Sequence, residues 1–296
     1  MSTEYLYQGF LKAEDIDCFR AMQRKTGAIV SGSVLVERLS NAAFEPRDLD
    51  VFVKERGTLD AGACLSQCGF EFTPLPDRQV GGRRETKQQP AIFVDAVDTE
   101  FADWNPNTGT VADRYDCTHI AGVFNFVNKE KKVVQQVTSI PTVLHRVLTS
   151  TQLAASVMNF ATAVEIVYLF PTLTFVDKKN LVLRDADSPA VKACIWKYEQ
   201  RGWDTIETLS AFDALRCDSD TRAFHRSVGD DRCWKIRLTP SDKEERGLLS
   251  TMAPTWTLSF PTRNETRLVY SKSGNEAAHA EEGKYLVNIL EAALTI

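Results

Sequence analysis

Asp48 and Asp50 stand two residues apart in Asp48-Leu49-Asp50-Val51-Phe52-Val53, a run that alternates polar and apolar before turning fully apolar. This pattern predicts a strand whose later part is buried on both faces. Residues i and i+2 of a strand project from the same face, so the pair presents hard anionic oxygens side by side. Such a donor set suits Mg²⁺, which takes one or two carboxylates and completes its shell with water and substrate phosphates. Upstream, Ile29-Val30-Ser31-Gly32-Ser33 places a Gly-Ser turn between a short apolar run and Val34 to Leu39, where Leu35 and Leu39 are spaced as on one helix face. A turn that opens a helix offers backbone N–H groups and the positive end of the helix dipole to a phosphate. If the strands flanking that turn are neighbours, phosphate cradle and metal ligands lie together. That is the minimum apparatus for phosphoryl or nucleotidyl transfer, where positioning and charge neutralisation dominate. The plainer reading is a solvated strand start and an ordinary turn.

An apolar strand, Gly-Ser, a spacer and then Asp-apolar-Asp-apolar resembles the fingerprint of the nucleotidyltransferase superfamily typified by DNA polymerase β. The run Ser31-Gly32-Ser33 … Pro46-Arg47-Asp48-Leu49-Asp50 is most similar to nucleotidyltransferase-like proteins of mushroom-forming fungi. Val157-Met158-Asn159-Phe160 and Leu169-Phe170-Pro171-Thr172-Leu173-Thr174-Phe175 look like the helix that follows their catalytic sheet, so the resemblance covers residues 30–180. It implies an α/β (α+β) fold, a nucleotidyltransferase-like mixed sheet with flanking helices. It also implies that Gly32 and Ser33 contact phosphate and that Asp48 and Asp50 hold Mg²⁺ or Mn²⁺. The substrate would be a nucleoside triphosphate. An acceptor hydroxyl, on a small molecule, a protein or RNA, would attack the α-phosphate and release pyrophosphate.

Active members of that superfamily usually carry a third carboxylate on a neighbouring strand, which helps bind metal and activates the attacking hydroxyl. The corresponding stretch here, Lys132-Val133-Val134-Gln135-Gln136-Val137, contains no acid. Gln136 or Val134 would take the place, and neither can act as a base. Asp95 is the candidate substitute, because Ile92-Phe93-Val94-Asp95-Ala96-Val97 reads as an apolar strand and a carboxylate inside one calls for a reason. The missing acid favours a rival reading, a catalytically inactive nucleotide-binding or interaction protein that retains the fold. A second rival, an RNA-binding or RNA-modifying protein, draws on Arg78, Arg83, Arg84 and Lys87 around Gly81-Gly82, and on Lys129, Lys131 and Lys132. The excess of 40 acidic over 35 basic residues, a net charge of -5, weighs against it.

The elements that must position these residues follow from periodicity. Ala13 to Lys25 and Thr58 to Cys68 predict helices, ended by Gly27 and Gly69. Phe70 to Thr73 predicts a strand, Pro74 to Pro90 a polar loop, and residues 98–115 a turn-rich segment around Asn105-Pro106-Asn107-Thr108-Gly109. Gly122 to Val127 and Lys132 to Val137 flank Asn128-Lys129-Glu130-Lys131 as a hairpin. From Pro141 the pattern turns helical, and Ala161 to Val176 reads as a buried helix running into a strand. Further helices are expected at 188–201, 204–215 and 276–294, with short extended pieces at 234–238, 256–260 and 267–270. These readings divide the chain into a nucleotidyltransferase-like α/β domain, 1–140, and a mainly helical C-terminal domain, 141–296.

With 43% hydrophobic residues and modest net charge, the 296-residue chain has material for a real core, and extensive disorder is excluded. No stretch reaches about 18 uninterrupted apolar residues, so no membrane span is expected. Met1-Ser2-Thr3-Glu4-Tyr5 lacks a basic region leading into an apolar one, and cytoplasm or nucleus is the expected compartment. Seven cysteines in a chain of this kind read as free thiols; Cys64 and Cys68 share a helical face, but no second pair completes a zinc site. His119, His145, His225 and His279 are isolated from one another, and Tyr198, Trp203 and Trp234 read as core aromatics rather than base-stacking platforms.

Overall fold

The structure, a computed structural model, describes residues 1–40, 44–74, 78–80, 83–85, 92–97, 120–139, 154–183, 189–209, 220–221, 226–228, 230–238, 255–262 and 265–271. The chain starts with α1 (Thr3–Tyr7), capped by Ser2, whose Oγ accepts from the Tyr5 N–H at 3.1 Å. The amphipathic α2 (Ile16–Thr26) buries Ile16, Phe19, Met22 and Gln23 and ends at Gly27. Then follow β1 (Ile29–Ser31), α3 (Ser33–Ser40), β2 (Asp48–Lys54), α4 (Thr58–Gln67) and β3 (Glu71–Thr73). The strand-turn-helix-strand order expected around the two aspartates is therefore present.

Inside the expected polar loop, β4 (Arg78–Val80) and β5 (Arg83–Glu85) form a small antiparallel hairpin. The hairpin expected at 122–137 is β6 (Ile120–Val127) with β7 (Val133–Ser139). Its turn is held by Asn128, whose Oδ1 accepts from the N–H groups of Glu130 and Lys132 at 3.0 and 2.9 Å. Beyond it lie β8 (Asn159–Ala161), β9 (Glu165–Tyr168), a π-helical turn at Thr172–Val176 and β10 (Lys179–Leu181). The helix α5 (Pro189–Glu199) precedes β11 (Asp204–Ile206), β12 (Arg226–Ser227), β13 (Trp234–Arg237), β14 (Thr255–Thr262) and β15 (Glu265–Ser271).

One mixed sheet organises the molecule, in the order β13-β9-β8-β1-β2-β7-β6-β3. Its pairs are antiparallel except β2 and β7, which run parallel. One face carries Val30, Leu49, Val51, Phe124, Phe126 and Val134 and is covered by apolar residues of α1, α2 and α4. The other carries Ile29, Phe52, Val137, Phe160 and Val167, packed against Leu173, Leu181 and Val228. A smaller cluster on α3 and α5 joins Val36 to Tyr198 and Trp203.

Several expectations are corrected. Past residue 140, β8, β9 and β13 extend the same sheet from the edge of β1. Among the described residues there, β8 satisfies that edge with backbone hydrogen bonds and β9 pairs in turn with β8. Ala161 to Val176 accordingly runs from strands into a π-helical turn, and 204–206 is a strand. Asp220 receives the Thr172 and Leu173 N–H groups of that turn at 2.7 and 3.2 Å. The segment 93–97 is helical instead of a strand. Phe93, Ala96 and Val97 face the core while Val94 and Asp95 point out, a helical spacing that the short apolar run conceals. The four histidines, Lys87, Cys117, Cys217, the Asn105 cluster and the expected helix 276–294 lie outside the described residues. No helix among the described residues is long and apolar enough to cross a membrane.

Candidate functional site

Because β1 and β2 are antiparallel neighbours, the end of β1 meets the beginning of β2, and Ser31 pairs with Asp50. The Gly-Ser turn and both aspartates are thereby brought together at one end of these two central strands. Asp48 and Asp50 alternate with the buried Leu49 and Val51 and share the face of Phe52. Both are half-buried. Gly32 has φ +90, a conformation that L side chains rarely adopt, and this turns the chain from β1 into α3. A Cβ at Gly32 would lie 2.5 Å from Asp50 Oδ2, so the bare backbone is what lets the carboxylate sit against the turn. Ser33 is buried at the first residue of α3, and Ser31 Oγ donates to the Asn159 carbonyl at 2.5 Å, tying the turn to β8.

The electrostatics of the pair are strained. Burial, and then the charge of Asp48, push the Asp50 carboxyl up to about 7, against an opposing pull from Lys197. Lys197 lies in α5 and Arg201 just after it. The Arg201 guanidinium interacts favourably with Asp48, although its own burial is the larger effect and lowers its pKa. Its Cζ stacks 3.8 Å from the Phe44 ring centroid, and its Nη1 has no hydrogen-bond partner among the described residues. Neither cation was singled out from sequence. Their spacing at the end of a helix was the available signal, but nothing in it pointed across to β2. Tyr198 and Trp203, beside them, are core residues: Trp203 Nε1 donates to the Thr174 carbonyl at 2.7 Å.

Parallel pairing fixes the neighbour of Asp50 on β7 as Gln135. Gln135 shares the aspartates' face, and its Nε2 donates to Asn125 Oδ1 at 3.3 Å. Gln136, expected at this position, instead points to the opposite face and donates to the Thr58 carbonyl at 2.9 Å. Val134 is also on that opposite face. Asp95 is not placed as a third ligand: its segment packs through Phe93, Ala96 and Val97 on the α2–α4 side of the sheet, and Asp95 itself is exposed. Among the described residues, no group of three acidic, histidine or cysteine side chains is poised to hold a metal ion.

The donor set nonetheless fits Mg²⁺ or Mn²⁺ in the manner of a substrate-completed site. Two carboxylates share a face, one of them is penalised for its charge, and phosphate oxygens and water would complete the shell of such an ion. Just before β2, Phe44, Glu45 and Pro46 line a hollow of about 480 Å³ with Phe10, Arg38 and Lys132. No family model, curated protein or solved structure matches the chain.

Proposed function

We propose that the β1–α3–β2 unit is a nucleotidyltransferase-like site. In this reading it binds a nucleoside triphosphate with Mg²⁺ or Mn²⁺ and transfers the nucleoside monophosphate to an acceptor hydroxyl. The observation that carries the reading is the contact between the Gly32 turn and Asp50, which puts a phosphate-accepting backbone turn against a carboxylate pair. Asp48 and Asp50 would hold the metal, whose chemistry is to neutralise phosphate charge. Gly32 lets the Asp50 carboxylate sit against the turn, and Ser33 begins the helix whose positive end would face a phosphate. Lys197 and Arg201 add cationic charge on the α5 side.

The test is thermal stabilisation by each nucleoside triphosphate, with and without Mg²⁺, in wild type and Asp48→Asn. A Mg²⁺-dependent upward shift in wild type that Asp48→Asn loses is expected. Equal shifts in both proteins would remove the aspartates from the site.

Gln135 supports a second reading, in which the nucleotide is bound but not transferred. It occupies the register position beside Asp50, and an amide cannot accept the acceptor's proton. Gln135→Glu restores a carboxylate with little change of shape. If binding without transfer is correct, wild type releases no pyrophosphate from a nucleoside triphosphate, and Gln135→Glu gains turnover of roughly 100-fold over background. Turnover by wild type would discard this second reading.

A further inference from the structure

A cluster of thiols lies on the α2–α4 side of the sheet, away from the aspartates. Cys18 of α2 is exposed, and its Sγ is 3.8 Å from Sγ of the buried Cys64 of α4. Cys18 Sγ also lies 3.5 Å from Gln67 Oε1. One turn on, at the C-cap of α4, Cys68 is also buried. Cys64 and Cys68 belong to the core cluster that includes Leu49 and Val51, so these sulfurs are held by packed helices and not by mobile tips.

We propose that Cys18 and Cys64 form an oxidisable pair that closes a disulfide between α2 and α4. The oxidant is a peroxide, and Cys18 is the entry point because it alone of the three reaches solvent. Its thiol takes up one peroxide oxygen to give a sulfenic acid and releases water. The Cys64 sulfur then attacks the Cys18 sulfur. The S–S bond forms as the S–O bond breaks, and the departing hydroxide is protonated to water. In sum, two thiols and one hydrogen peroxide give one disulfide and two waters. The sulfurs, 3.8 Å apart, must close to the S–S bond length of about 2.05 Å.

Bridging Cys64 to Cys68 is the poorer alternative, because both lie on one turn of the same helix. The Cys18–Cys64 link ties residues 46 apart in sequence and restrains the unfolded chain. The proposal does not depend on nucleotide binding.

The experiment treats the full chain with hydrogen peroxide and maps its peptides without reduction. An intramolecular Cys18–Cys64 peptide pair is expected, with a thermal midpoint raised by roughly 5 °C and restored by dithiothreitol. Cys18→Ser, a change at an exposed position, should show neither. In Cys64→Ser, trapping with a 1,3-diketone should show the Cys18 sulfenic acid accumulating with no disulfide formed. Pairing of Cys18 with any other cysteine or with a second copy would overturn the proposal, as would Cys18 passing to sulfinic acid with no bond formed.

Discussion

Replacing Asp50 by asparagine is expected to raise the thermal midpoint of the metal-free protein at pH 8 by roughly 4–8 °C, while abolishing its Mg²⁺-dependent response to nucleotide. The folded protein holds the Asp50 carboxyl at about 7, against an ordinary 3.8, chiefly through burial and the charge of Asp48. A raised acid pKa means that the folded state binds the proton more tightly than the unfolded one. The stabilisation is therefore complete below pH 4 and is lost as pH rises through about 7. At face value the loss is up to about 4 kcal/mol, and solvent access to the half-buried group reduces it. Asparagine keeps the shape and removes the charge. The check is the thermal midpoint of both proteins from pH 4 to 8. Asp220, which burial raises to about 6, contributes a slope of the same sign. It is present in both proteins, so the difference between the curves isolates Asp50. Parallel curves would show that the carboxylate pair is not under electrostatic strain.

Gly32→Ala should be the most damaging single-methyl change at the site. Alanine at φ +90 costs about 1–2 kcal/mol from backbone sterics alone. The new methyl would also approach Asp50 Oδ2 to 2.5 Å, and the carboxylate must swing away. Gly69→Ala is the matched control, since its φ is +83 and a Cβ there meets nothing within 4 Å. Urea unfolding should show Gly32→Ala destabilised beyond Gly69→Ala by about 1 kcal/mol or more. Nucleotide-dependent stabilisation should vanish in Gly32→Ala and persist in Gly69→Ala. Equal behaviour of the two variants would mean that the turn and Asp50 do not act together.

Both predictions concern elements that the sequence announces locally. The alternation of Asp48 to Val53, the Gly-Ser turn and the Asn128 hairpin each carry their own structural instructions within a few residues. The missed features depend on partners distant in the chain. Gln135 rather than Gln136 neighbours Asp50 because parallel pairing of β2 with β7 sets the register, and a one-residue slip exchanges the faces. The segment 93–97 contains Phe93, Asp95 and Val97 in apparent alternation, yet Phe93 reaches the space left by Gly62 and packs against Phe72, Phe124 and Phe126. Tertiary packing decided between two patterns that six residues could not separate. Likewise, nothing local to Asn159–Ala161 reveals that it borders β1.

That border shapes how the chain reaches its final form during synthesis. β1 emerges early, but the strand on one side of it is β8 and the sheet finishes with β13 at Arg237. A nascent chain extended as far as residue 140 holds both aspartates while one rim of β1 still lacks its hydrogen-bonding neighbour. Closure of the sheet therefore waits on chain made long after the candidate site itself, which favours slow, late consolidation over folding domain by domain. An incomplete product would present an unpaired strand edge, the surface through which partly folded chains associate.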